Sequence, residues 1–219
     1  MMMKAILSTV GIAIALAPSA SPEIAQFRIN GVDFEVAAPP QSCLPNGHQV
    51  DAMQLLAAGD RDNVTHVTFL TCGENVTGKA GRYWLVKTVT ALLSVDMTRE
   101  ELLIALTPTF NAGYTVEETA KILENAEANV SSALGAKVEY AGDVQPRGVD
   151  KTCAYVGGAI QVTAGTLKYD QAVGGCLTVV GRRQITVYRY GNKTDSASII
   201  ALMQEARDFA ATIKVVPKN

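Results

Sequence analysis

The side chains in this chain that can do covalent or metal chemistry are few: four cysteines and only two histidines. Cys43, Cys72, Cys153 and Cys176 each lack a cysteine neighbour at the short spacing that zinc pairs use, so no metal is expected on them. Four cysteines permit three connectivities. Pairing Cys43 with Cys72 and Cys153 with Cys176 closes a local loop of modest length in each case, and that is the pairing expected. Each bridge would contribute roughly 2–4 kcal/mol, mainly by restricting the unfolded chain. The rival reading makes Cys43 a thiolate nucleophile activated by His48 or His66, and a disulfide at Cys43 removes it.

His48 and His66, with the carboxylates Asp60, Asp62 and Glu74, are the remaining candidates for acid–base work or for calcium. No Asp-x-Asn-x-Asp-Gly loop frames these acids, and they read as turn residues. The chain contains no G-x-S-x-G elbow, phosphate-binding loop, H-E-x-x-H or dinucleotide fingerprint. Gly157-Gly158 and Gly174-Gly175 do not lead into helix starts, so they are expected to relieve crowding or form bulges in strands. No catalytic residue, cofactor or metal ligand is assigned. Three functions stay open: an accessory protein that binds another protein or an envelope component, a small hydrolase or transferase using His48 and His66 with nearby carboxylates, and a binder of a small apolar ligand between helix and sheet.

Residues 1–20 have one charge, Lys4, then an apolar or small run from Ala5 to Ala17 closed by Pro18, Ser19 and Ala20. This is the pattern of a secretory signal peptide, with cleavage expected after Ser19 or Ala20 and a periplasmic or secreted destination. Export suits disulfides, because thiols outside the reducing cytoplasm stay oxidised. Lysine plus arginine number 19 against 21 acids, and neither sign forms a block, which argues against a nucleic-acid partner. After the leader no apolar run reaches the length of a membrane span.

The elements that must position these groups are legible in outline. Phe27-Arg28-Ile29 and Val32 to Val36 flank Asn30-Gly31, the signal of a hairpin with a type I′ turn. Val50 to Ala58 reads as a short helix with Met53, Leu55 and Leu56 inward, and Val64 to Thr71 and Tyr83 to Thr88 read as strands. Thr98-Arg99-Glu100-Glu101 and Thr115-Val116-Glu117-Glu118 are capping boxes opening two helices, the first limited by Pro108 and the second closed by Gly135. The longer one should bury Val116, Ala120, Leu123, Val130 and Leu134. Lys137 to Ala141 is expected to be strand and Gly142 to Asp150 a polar loop. Cys153 to Tyr190 is β-branched and aromatic, the antiparallel centre of a sheet, with strands at Val173 to Val180 and Gln184 to Tyr190. A last helix, capped within Asn192 to Asp195, carries Ile199, Leu202, Met203, Ala206, Phe209, Ala210 and Ile213 on one stripe. The fold class is therefore α+β, an antiparallel sheet with helices packed on both faces and two disulfides, in one domain spanning residues 21–219.

This order of hairpin, middle helices, antiparallel strands and covering helix resembles the extrinsic P subunit of photosystem II and its relatives over Phe27 to Ile213. The stretch Ile185-Thr186-Val187-Tyr188-Arg189-Tyr190, followed by Thr194-Asp195-Ser196 and the final helix, is also similar to small exported bacterial proteins without an assigned activity. The resemblance implies a non-catalytic accessory or binding role and transfers no functional residue, since fold does not determine function.

Overall fold

The computed structural model describes residues 21–73 and 81–217. The leader-like segment and Glu74 lie outside the described residues. Two antiparallel sheets and four α-helices make up the rest. The first sheet has three strands, β1 (Ile24–Ile29), β2 (Val32–Ala37) and the short β10 (Lys214–Val215), in the order β1-β2-β10. The hairpin pairs Phe27 with Phe34 and Ile29 with Val32, as the alternation requires, and Asn30 and Gly31 both take positive φ.

The second sheet has seven strands in the order β3-β4-β5-β9-β8-β7-β6. These are β3 (Ser42–Cys43), β4 (Asn63–Thr71), β5 (Tyr83–Val89), β6 (Val138–Val149), β7 (Ala154–Ala164), β8 (Leu167–Val180) and β9 (Arg183–Gly191). The expected loop over Gly142 to Asp150 is strand almost throughout, paired along β7. Its Pro146 and polar residues are tolerated because β6 is the edge of the sheet, where a missing N–H breaks no ladder. Strands β8 and β9 are joined by Gly181 and Arg182, both at positive φ.

Helix α4 (Ser196–Ala210) covers one face of this sheet together with the small sheet, and α1 (His48–Gly59), α2 (Arg99–Ala112) and α3 (Val116–Leu134) cover the other. Asp195 caps α4 by accepting the Ser198 N–H at 3.0 Å, and Leu202, Ala206, Phe209, Ala210 and Ile213 are all buried. Both capping boxes form, the threonine oxygens accepting N–H bonds from Glu101 and Glu118 at 3.1 Å. Pro108 does not end α2. The helix runs on to Ala112, and the Thr107 hydroxyl donates to the Leu103 carbonyl at 2.6 Å beside the turn that proline deprives of an N–H.

The stripe expected on α3 is thinner than its pattern suggests. Val116 is 89% exposed and Ala120 is exposed as well, and Leu123 and Val130 are only half-buried. Leu55 and Leu56 of α1 keep about 40% of their surface exposed. Helix α1 packs chiefly on α3 and meets the sheet at β4, while α3 packs on the edge strand β6, so their remaining apolar side chains roof a space and do not fill a core.

Both disulfides form as expected, Cys43 with Cys72 and Cys153 with Cys176, with Cα separations of 5.1 and 5.2 Å. The second is wholly buried in the main core, beside Val187 and Ala206. The closed loops span 29 and 23 residues, which in the chain-entropy account is worth about 3–4 kcal/mol each.

Helix α4 lies on the sheet at backbone distance because glycine lies beneath it. A Cβ at Gly174 would stand 2.4 Å from the Met203 nitrogen, and one at Gly157 would stand 2.9 Å from the Met203 sulfur. The paired glycines thus relieve crowding, as the sequence suggests. Replacing Gly174 by alanine should force the helix backbone away from the sheet at a cost of about 3 kcal/mol. Urea denaturation should show a correspondingly lower midpoint, and an unchanged midpoint would disprove this seating.

Candidate functional site

Under α1 and α3 the sheet bears a cavity of about 790 Å³, within the size range of small-molecule sites. Its floor is built by strand alternation. Tyr83 of β5 pairs with Tyr190 of β9, and Leu85 pairs with Tyr188, so one parity of each strand sends its rings the same way. Tyr169 of β8 and Tyr140 of β6 extend the floor toward the sheet edge. The rings of Tyr83 and Tyr190 stack with centroids 4.3 Å apart. The roof is aliphatic, with Met53 and Leu56 from α1 and Ile122, Leu123 and Val130 from α3.

Burial moves the floor hydroxyls further from ionisation. Desolvation raises the Tyr140 phenol to about 12 and pushes Tyr83, Tyr169, Tyr188 and Tyr190 up as well, with neighbouring tyrosines adding to the effect at Tyr83 and Tyr190. Tyr83, Tyr188 and Tyr190 are only half-buried by surface area, yet they lie deep in the protein; what they expose lines the cavity. None of these five hydroxyls has a hydrogen-bond partner among the described residues.

One ion pair borders the floor. Lys87 of β5 is 9% exposed and its Nζ lies 2.5 Å from Asp60 Oδ2, with the ammonium also 6.0 Å from the centre of the Tyr188 ring. Asp60 terminates α1 and also accepts the Asn63 backbone N–H at 3.1 Å. It is a turn residue, as expected from its place after Gly59, and in addition the counter-ion of a buried lysine that sequence reasoning left unassigned. Gln171, 3% exposed, donates to the carbonyl of Gly191 at 2.7 Å and completes the polar content of the inner wall.

The two histidines are not brought together. His48 is exposed at the start of α1, on the roofed side of the sheet. His66 occupies a β-bulge in β4 between Thr65 and Val67, which turns it to the opposite face, where its ring stacks on Phe27 at 5.3 Å. Its Nε2 lies 2.9 Å from Thr88 Oγ1, and the Thr88 hydroxyl donates to the Gln184 carbonyl at 2.9 Å. The single threonine proton is thereby committed, so the Nε2–H of a neutral imidazole donates to Thr88. Asp62 is exposed at the rim of the cavity, and Glu74 lies outside the described residues. No group of three or more histidine, cysteine, aspartate or glutamate side chains suited to a metal occurs among the described residues.

No protein-family model matches the chain, and no curated protein matches it. Among solved structures it is similar to the solution structure of cyanobacterial PsbP (CyanoP) from Synechocystis sp. PCC 6803, with a TM-score of 0.38 and 11% identity over 94% of this chain and 99% of that one. The likeness is one of architecture, at the level the order of elements suggests.

His66 makes stability depend on pH. Burial lowers its pKa from 6.5 to about 4, so between these values the unfolded chain takes up a proton that the folded chain refuses. The contribution is complete above pH 6.5 and is lost as pH falls toward 4. The full shift corresponds to about 3 kcal/mol, which partial exposure of the ring reduces to on the order of 1–2 kcal/mol. Unfolding free energies measured from pH 7 to pH 5 should decline in the native protein and stay flatter in His66→Gln. Equal slopes would refute the assignment.

Proposed function

We propose that this chain is an exported, disulfide-stapled binding protein that holds a small, predominantly apolar molecule between its helices and its sheet. The observation that carries the reading is the cavity of about 790 Å³ between an aliphatic roof and a tyrosine floor. The aliphatic roof is a poor partner for water, and burying a ligand's apolar surface against it is favourable by about 25 cal/mol per Å² before the costs of association. Helix α1, which packs lightly on the sheet and leaves Leu55 and Leu56 about 40% exposed, suits a site that must admit and release its contents. Export is supported by the leader pattern at residues 1–20, with removal after Ser19 or Ala20, and by the two disulfides. No helix among the described residues is long and apolar enough to cross a membrane. The hydrolase or transferase alternative loses its geometric support, because His48 and His66 stand on opposite sides of the sheet.

The test fills the cavity. Ala126 of α3 lines it, and Ala126→Trp should occupy the space a ligand needs. Titration with the fluorescent probe N-phenylnaphthylamine should show saturable binding to the native protein, reduced at least tenfold in the variant, with unchanged far-ultraviolet circular dichroism in both. Native mass spectrometry of protein recovered from its own host should reveal a bound small molecule. Absence of probe binding to the native protein, or equal binding to a folded variant, would overturn the proposal.

A further inference from the structure

We infer that the ligand of this cavity is an uncharged molecule with an apolar body and at least one hydroxyl or carbonyl group, bound with that polar end on the tyrosine floor; this rests on the cavity being a ligand site. Three observations converge on it. First, the charged side chains that line the cavity cancel: Asp60 and Asp62 stand against Lys87 and Arg82. The buried cation is already paired with Asp60 at 2.5 Å and Arg82 is exposed to solvent, so a carboxylate or phosphate placed on the buried floor would have to break the Lys87 pair or stay uncompensated there. An amine would meet the mirror-image difficulty.

Second, the hydroxyls of Tyr83, Tyr140, Tyr169, Tyr188 and Tyr190 line the cavity without a hydrogen-bond partner among the described residues. These hydroxyls face the open space of the cavity and are not sealed against protein, so an occupant that displaces water from them must supply donors or acceptors of its own or leave phenols unpaired, a cost that phenylalanines in the same places would not incur. Five such positions on one wall therefore point to an occupant with a polar end. A phenol is protonated at neutral pH even without burial, and desolvation moves these five further from ionisation, so they offer O–H donors as well as lone pairs. Carbonyl and hydroxyl groups both accept from such a donor.

Third, the wall opposite is aliphatic, with Met53, Leu56, Ile122, Leu123 and Val130 offering neither donors nor acceptors. The two sides together orient a molecule that has one polar end. A simple hydrocarbon would leave the floor unsatisfied, and a sugar would leave the roof wet.

The experiment compares naphthalene, naphthol and naphthoate as competitors of N-phenylnaphthylamine on the protein with both disulfides intact. Naphthol should bind about tenfold more tightly than naphthalene, and naphthoate more weakly than either. Single Tyr→Phe variants at positions 83, 140, 169, 188 and 190 keep the ring and remove the hydroxyl, so folding is preserved while the preference is tested. At least one should abolish the advantage of naphthol while leaving naphthalene affinity unchanged. Equal affinities for naphthalene and naphthol, or naphthoate binding as tightly as naphthol, would overturn the inference while the cavity reading stands. Retention of the naphthol preference in all five variants would overturn it too. Failure of every probe to bind would remove the cavity reading itself.

Discussion

The constraint on which the structure depends is the unequal treatment of the two faces of one antiparallel sheet. On one face the α4 backbone rests on Gly157 and Gly174, leaving no room for a methyl group, and beside it Phe209 meets Phe69 edge to face and Trp84 at a tilt. Arg189 closes the rim of that face by stacking on Trp84 at 4.5 Å while binding Glu205 of α4 at 2.9 Å. Phe34 and Val36 of the small sheet join the same core, which also contains the disulfide between Cys153 and Cys176. Solidity is concentrated there. The other face carries large tyrosines where the first carries glycines; there α2 builds a smaller core with Leu103 and Phe110 on Ala154 and Val156, while α1 and α3 stand over the rings.

That difference explains why a cavity survives without collapsing the fold. An apolar void costs stability in proportion to its volume when it is opened in a core whose contacts all depend on one another. Here the cohesive layer lies across the sheet, and the roof helices draw on their own devices: the capping box at Thr115, and the contact of buried Gly59 with Ala133, where an added Cβ would lie only 3.0 Å away. Gln145 ties β6 to the start of α3 through Thr119 at 2.8 Å and to the Tyr114 backbone at 2.9 Å. The roof is thus pinned along the edge strand β6, where Glu127 of α3 also accepts the Tyr140 N–H at 2.6 Å, and the space lies between that seam and α1.

Much of the framework was legible in the sequence because its signals are local. Asn30-Gly31 specifies its turn through two residues that tolerate positive φ, each capping box is four residues long, and the stripe of α4 repeats within fifteen residues. The strand from Gly142 to Val149 was not legible, since its proline and polar residues mark a loop unless one knows that β6 forms the sheet edge. The floor was hidden for a related reason. Its tyrosines come from β5, β6, β8 and β9, and which parity of each strand faces the helices is set by a register that no single segment contains. The bulge that turns His66 away from His48 likewise belongs to the pairing of β4 with β5.

The placement of Lys87 joins these threads. A lysine amid β-branched neighbours on a central strand would be expected to sit at the surface, and it is instead buried against an aspartate that ends helix α1. Removing two charges from water costs several kcal/mol, which their attraction returns only when the remaining donors and acceptors are satisfied. Asp60 meets that condition by also accepting from the Asn63 backbone and side chain, at 3.1 and 3.0 Å. The pair consequently fixes the end of α1 to β5 and fixes the electrostatics of the site in the same act: it spends the cavity's buried cation on the protein's own aspartate, leaving neutral phenols as the groups free to recognise a guest.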